Sequence, residues 1–419
     1  MTAGNHPQPV TVIRGRALLG ARLVEDSAVA VAGTQILYSG PHTGLARALS
    51  DSGTDLDGGS VTTLELAPGQ IIVPGLVDVH NHGGYGTDFP SAGAAAARNA
   101  LHRMHAAGTT TVLASLVTAS PADLLSGLEV FAGLADSGDV AGIHLEGPFL
   151  SAARCGAQDP RWLRSPDPDF AAQLIAAARG HLRTMTYAPE LPGADDLVDL
   201  LTAHSVVPSL GHTAATADDA AASLARAAAG LASRPGSDGS GRAAVPTVTH
   251  LFNGMDPIHH RSPGAVTAAL RAARSGAAVV ELIADNTHLD PFVVASMFEL
   301  LGADNIVLVT DAMAAAGLSD GRYRLGPADV AVLNGVARLD SGSIAGGTAG
   351  MLDLVRNAVA SGVSTEDALH SATEVPARVL GMSGRIGTLA AGASADLLLL
   401  DSGLRLTRVL RRGVWITAA

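Results

Sequence analysis

From about residue 73 to residue 380 the chain alternates short β-rich runs with alanine-rich helical stretches. That alternation restricts the fold severely, because parallel strands cannot be joined by tight hairpins and need crossover helices. The strand candidates are 72–79, 110–116, 140–145, 183–187, 205–210, 247–251, 278–283 and 305–309, with helices such as 92–107 and 216–229 between them. Eight strands are what a closed barrel requires, so the expected fold is α/β, a (β/α)8 TIM barrel over residues 73–380. Such a barrel carries its chemistry at the C-terminal strand ends. Those ends hold His80 and His82 after the first strand, Glu146 after the third, His212 after the fifth, His250 near the end of the sixth and Asp311 after the eighth.

The chain ends read differently. Residues 1–72 contain short strands at 11–13, 28–31, 35–39 and 61–65, and β character returns after Gly384, at 395–401 and 408–416. Neither piece makes a stable sheet alone. Both ends, 1–72 and 381–419, are therefore expected to pair into one small β-sandwich domain beside the barrel. A Gly- and Ser-rich stretch at 233–242 reads as a surface insertion. With 419 residues, 47% hydrophobic and 16% charged, the chain is globular and large enough for a substantial core. A formal charge of -12 argues against a nucleic-acid partner, and any anionic substrate must meet a few local cations. The single cysteine, Cys155, cannot form an intrachain disulfide, and the polar first ten residues contain no apolar leader, so a cytoplasmic protein is expected. The apolar runs at 71–79 and 397–400 are far shorter than the roughly 20 residues of a membrane helix.

Within the barrel, strand alternation points His80 and His82 to one side, as two ligands of one ion would need. Glu146 stands where a strand stops and Gly147-Pro148 begins. Taken singly, Glu146 also reads as a surface carboxylate or a helix cap, and His212 and His250 are better explained as satisfied histidines in hydrogen-bonded loops. Together they form a mixed oxygen and nitrogen set with room for water, suited to a divalent ion such as Zn2+ or Fe2+. Asp311 faces the same mouth, either to shuttle protons to and from the reacting groups or to orient a ligand histidine.

Several segments carry a family resemblance: His144-Leu145-Glu146-Gly147-Pro148-Phe149, Leu210-Gly211-His212-Thr213, Thr249-His250-Leu251-Phe252-Asn253-Gly254-Met255, Arg261-Ser262-Pro263-Gly264 and Val309-Thr310-Asp311-Ala312. The chain resembles the N-acetylglucosamine-6-phosphate deacetylase family of the amidohydrolase superfamily over nearly its whole length. The resemblance implies hydrolysis of N-acetylglucosamine 6-phosphate to glucosamine 6-phosphate and acetate, in amino-sugar catabolism and cell-wall recycling. It implies that Glu146, His212 and His250 bind the ion and that Asp311 is the acid and base. It assigns the sugar phosphate to Asn253 and Gly254 with His288, and it implies a homodimer in which Arg261 reaches the neighbouring subunit's substrate.

Two departures stand out. Some family members lack the histidine pair, and its presence as His80 and His82 permits a second ion bridged by Glu146, giving one or two ions per subunit. Gln158, in the loop Cys155-Gly156-Ala157-Gln158, occupies the position of a family histidine that polarises the acetyl carbonyl. A glutamine offers only a neutral hydrogen bond there. Ala157 and Cys155 would lie over the substrate in that loop, although Cys155 serves equally as a small apolar filler. Two other activities stay open within the superfamily, on the galactosamine epimer or on a cyclic amide. A different class, a non-catalytic sugar-phosphate-binding protein on the same barrel, is disfavoured because every catalytic position except that of Gln158 carries a competent residue, and such a protein needs no metal set together with Asp311.

Overall fold

The computed structural model describes residues 9–51, 61–233 and 244–416. Eight strands hydrogen-bond in parallel in chain order: Leu76–Asp78, Thr109–Val117, Gly142–Glu146, Leu182–Tyr187, Val207–Leu210, Thr247–Val248, Val279–Leu282 and Ile306–Leu308. The first and last of them are joined beyond their formal ends. Asp311 N donates to His80 O at 2.9 Å and His82 N donates to Ala312 O at 2.7 Å, with a parallel bridge between Asn81 and Ala312. The barrel is thus sewn shut by the segments that carry His80, His82 and Asp311. A buried side-chain clasp reinforces the seam, with Thr310 Oγ1 donating to Asp78 Oδ2 at 2.6 Å and Asn81 Nδ2 to the same oxygen at 3.0 Å.

The crossover helices form for local reasons. In Ala217–Ala232 the Thr216 side chain accepts from Asp219 N, and Asp218 and Asp219 put negative charge on the first turn. Ala220, Leu224, Ala227 and Leu231 recur at helical spacing and are buried against the barrel. No described helix is long and apolar enough to cross a membrane.

The chain ends form a separate eight-stranded sheet. Val10–Leu18 pairs antiparallel with Leu23–Ala32 and parallel with Val61–Glu65 and Ile71–Pro74, and Leu397–Leu400 joins the far side of Ile71–Pro74. Leu406–Arg411 and Val414–Ile416 extend it as a hairpin at one edge, and Gln35–Pro41 pairs antiparallel with Leu23–Ala32 at the other. The segment expected as one strand at 72–79 is in fact two. Ile71–Pro74 belongs to the end sheet and Leu76–Asp78 to the barrel, and the chain changes sheets at Gly75. Only glycine fits there, since a Cβ would stand 2.0 Å from Thr110 Oγ1. A three-stranded antiparallel ribbon, Gly321–Leu325, Ala328–Leu333 and Val336–Arg338, interrupts the chain between the last barrel strand and the helix Met351–Ala360, and was not anticipated from sequence. The insertion expected at 233–242 lies, beyond Ser233, outside the described residues.

Candidate metal centre and active site

Every strand end named above delivers its side chain to one place. The Nε2 atoms of His212 and His250 stand 3.0 and 2.9 Å from Glu146 Oε1 and 3.1 Å from each other. On the other side of the same carboxylate, His82 Nε2 is 3.2 Å from Glu146 Oε2 and 3.0 Å from His80 Nε2. Two three-residue groups therefore share Glu146: His80, His82 and Glu146, and Glu146, His212 and His250, all buried. Asp311 Oδ1 lies 3.3 Å from His80 Nε2 and 3.2 Å from His82 Nε2.

The outer ring nitrogens show why these are ligand geometries. His212 Nδ1 faces Arg154 O at 2.9 Å, His82 Nδ1 faces Ser115 O at 3.2 Å and His80 Nδ1 faces Glu281 Oε2 at 3.0 Å. Each acceptor fixes a proton on Nδ1 and leaves the Nε2 lone pair directed inward, the arrangement metal-binding histidines adopt. Backbone strain is concentrated at the same positions, since His212, His250 and Asp311 have φ of 47°, 27° and 46°. Left-handed conformations in such residues are costly and recur where function holds them.

The electrostatics also ask for a cation. Burial pushes the Glu146 carboxyl up, but hydrogen bonds from His212, His250, His80 and His82 outweigh it and hold it well below the usual carboxylate range. Burial likewise opposes ionisation of Asp311, and the positive field of His80 with the bond from His82 holds it low. Burial alone would depress His82, yet its bonds to Asp311 and Glu146 lift it to about 9. Two ionised carboxylates drawing protons onto neighbouring imidazoles is a demand that a divalent ion satisfies with the same atoms. The residues present therefore fit a metal.

Beside the centre opens a cavity of about 250 Å³. Its wall includes His82, Glu146, Asp311, His212 and His250, together with Ala157, Gln158, Asn253, Gly254 and His288. His288 Nδ1 is 2.8 Å from Asp285 Oδ2, and although burial opposes it, that carboxylate raises the histidine above its ordinary value. Gly254 has φ +61°, and a Cβ there would stand 2.9 Å from His212 Nδ1. Gln158 is fixed at both ends, its Nε2 donating to Glu146 Oε2 at 2.5 Å and its Oε1 accepting from Thr118 N at 2.8 Å. Two expected substrate residues are not on the wall. Cys155, a free thiol, is half-buried, and Arg261 is exposed with its Nη1 2.7 Å from His260 Nε2.

Sequence reasoning missed Glu281, a buried carboxylate on the seventh barrel strand. Its Oε2 meets His80 Nδ1 and accepts from His250 N at 3.1 Å, so one atom serves both histidine groups. A glutamate inside Val279–Leu282 was the available signal, because an ionisable residue in a strand buried on both faces needs a partner. It also missed Leu325, Ser343, Ile344 and Gly346, which the unanticipated ribbon and its return bring to the cavity wall.

The amidohydrolase family pattern matches residues 71–416, which covers the barrel and the C-terminal strands of the end sheet. The chain belongs to the amidohydrolase family. Among its relatives, N-acetylglucosamine-6-phosphate deacetylase of Bacillus subtilis (strain 168) is 33% identical over 351 residues, covering 82% of this chain and 84% of the relative. N-acetylgalactosamine-6-phosphate deacetylase of Escherichia coli O157:H7 is 35% identical over 350 residues, covering 82% and 87%. In structure, this amidohydrolase is similar to N-acetyl-D-glucosamine-6-phosphate deacetylase of Mycobacterium smegmatis, an aspartate-to-alanine mutant in complex with N-acetyl-D-glucosamine-6-phosphate. The two share 35% identity with a TM-score of 0.84, over 98% of this chain and 99% of that one.

Proposed function

We propose that the chain is a metal-dependent hydrolase acting on a linear amide C–N bond, converting N-acetylglucosamine 6-phosphate to glucosamine 6-phosphate and acetate. The observation that carries this reading is Asp311 standing at the mouth of two histidine groups that share Glu146, beside a cavity of about 250 Å³. Glu146, His212 and His250 would hold one divalent ion, and His80 and His82, with Glu146 shared, a second. When bound, such an ion supplies Lewis acidity toward the amide carbonyl and toward water.

The protein's own residues do the rest. Asp311 accepts the proton of the attacking water and returns it to the amine nitrogen as the C–N bond breaks, so one carboxylate serves as base and then acid. Because Asp311 stays ionised when buried, it is ready to accept. Gln158 braces Glu146 and lines the cavity; its amide would supply a neutral hydrogen bond where a charged donor would polarise more strongly. Asn253 and the backbone at Gly254 hold the sugar phosphate, and His288, drawn toward its protonated form by Asp285, faces its anionic end.

The described cavity wall contains no arginine or lysine. That supports a homodimer in which Arg261, exposed on each chain, completes the phosphate site of the other. Zinc is the expected ion and the cytoplasm the expected compartment. The similarity to the Escherichia coli relative favours a second reading, the galactosamine epimer as substrate. Acetate release from N-acetylglucosamine 6-phosphate, N-acetylgalactosamine 6-phosphate and unphosphorylated N-acetylglucosamine, with enzyme loaded with zinc or iron, tests the proposal. Release from none of them would refute it, and preference for the galactosamine ester would select the second reading.

A further inference from the structure

At the opposite end of the barrel from the metal centre lies a cavity of about 600 Å³, between the N-terminal strand ends and the end sheet. Four arginines line it: Arg183, Arg385, Arg411 and Arg412. The chain as a whole is acidic, with a charge of -12 and no lysine, so this concentration of guanidinium is local and opposed to the general field. None of the four forms an ion pair among the described residues. Their hydrogen bonds go to backbone carbonyls: Arg183 Nε to Ala141 O at 3.3 Å, Arg411 Nε to Thr110 O at 3.1 Å and Nη2 to Gly138 O at 3.2 Å, and Arg412 Nη2 to Gly138 O at 2.7 Å. The side chain of Arg385 has no hydrogen-bond partner among the described residues.

The two carboxylates on the wall are already engaged. Asp139 Oδ2 accepts from Arg98 Nε at 2.9 Å and Ser137 Oγ at 2.7 Å, while Asp396 accepts from Arg412 N at 2.6 Å and Ser394 Oγ at 2.8 Å. Most of the guanidinium N–H groups are therefore left to solvent or to a ligand. Burial together with the like charge of Arg385 pushes Arg183 below the ordinary guanidine value, and burial with Arg412 does the same to Arg411. Arg183 and Arg411 are half-buried and Arg385 and Arg412 exposed, and Asp396 and Asp139 offset only part of the positive charge at Arg411, so the crowded cations are unfavourable alone and become favourable around an anion.

We propose that this cavity is a second ligand site, separate from the catalytic centre, that binds a small phosphate-bearing anion through Arg183 and Arg385, with Arg411 and Arg412 completing its wall. Guanidinium groups bind phosphate oxygens through paired N–H bonds, which ammonium groups do not reproduce. The volume accommodates a phosphorylated sugar as well as the free ion. The third barrel strand, Gly142–Glu146, begins beside this wall and ends on the metal ligand Glu146. At about 3.3 Å per residue it sets the two sites roughly 15 Å apart.

Calorimetric titration of the metal-loaded enzyme with glucose 6-phosphate, and separately with inorganic phosphate, tests the site. The comparison is with R183Q/R385Q and with R385Q alone, at constant ionic strength. Arg411 and Arg412 are left intact because they tie the end sheet to the barrel. The wild type is expected to bind one equivalent more per chain than R183Q/R385Q, or that equivalent at least about tenfold more tightly. Deacetylation kcat and KM without added ligand should be the same in both. Equal saturation by inorganic phosphate identifies the free ion as sufficient, and tighter binding of glucose 6-phosphate identifies a phosphorylated metabolite. Identical isotherms for wild type and R183Q/R385Q, with thermal midpoints showing both folded, would overturn the proposal. If the double variant does not fold, unchanged binding by R385Q overturns the assignment of Arg385.

Discussion

Glu281 offers a sharp test of how the centre is held, because a single oxygen of this buried side chain supports residues from both histidine groups. Replacing it with alanine strands the Nδ1–H of His80, which it faces at 3.0 Å, and the backbone N–H of His250, which it accepts at 3.1 Å. Each stranded buried donor costs about 1–3 kcal/mol, so Glu281→Ala should lower folding stability by about 2–6 kcal/mol. Loss of an orienting partner also weakens metal binding by about 10–100-fold. Since both groups lose support, competition with a chromophoric chelator should show weakened affinity at every ion the enzyme holds. Glu281→Gln keeps an acceptor oxygen and the side-chain volume, and should fall between wild type and Glu281→Ala in both measurements. Metal affinity within twofold of wild type in Glu281→Ala, with an unchanged urea midpoint, would refute the claim that this carboxylate orients the ligands.

Asp311→Asn should retain its metal and its fold but lose about 10²–10⁴-fold in kcat, read as acetate release, because proton transfer is removed without removing a ligand group. Changing His80 and His82 together to asparagine should lower metal content by one ion per subunit in elemental analysis, whereas unchanged stoichiometry would leave one site only. Gly254→Ala forces a Cβ to 2.9 Å from His212 Nδ1 at a φ of +61°, and should cost about 1–2 kcal/mol of stability and raise KM. His105, far from the centre, should make stability depend on pH. Burial first, and then the charge of Arg411, hold it at about 4 against an ordinary 6.5, although both its ring nitrogens face carbonyls. The unfolded chain therefore binds the extra proton between pH 6.5 and 4, so this contribution is complete above pH 6.5 and is lost as pH falls through that window, by roughly 3 kcal/mol. Urea midpoints for wild type and His105→Gln at pH 4.5 and 7.5 should show a smaller pH dependence in the variant.

The parts of this molecule that could be read from sequence are those set by local periodicity. Strand runs bounded by helix signals locate the eight barrel strands, and the ends of those strands then place Glu146, His212, His250 and Asp311 without any knowledge of contacts. What stayed hidden depends on partners distant in the chain. The run 71–79 is apolar throughout because both of its halves are buried, so nothing in its pattern shows that Ile71–Pro74 pairs with Leu397–Leu400 while Leu76–Asp78 pairs with the second barrel strand. Glu281 looks like a stray charge until His80, 201 residues away, is brought against it. The ribbon is a different case. Asn334-Gly335 is a strong hairpin signal, and the flanking strand Ala328–Leu333 alternates exposed and buried residues, so its local chemistry was sufficient. The hairpin follows the eighth barrel strand and so lies outside the strand and helix alternation that identifies the barrel. The cationic cavity shows the limit in the other direction. Arg183, Arg385, Arg411 and Arg412 are unremarkable in sequence, and only closure of the end sheet against the barrel turns four separate charges into one electrostatic demand.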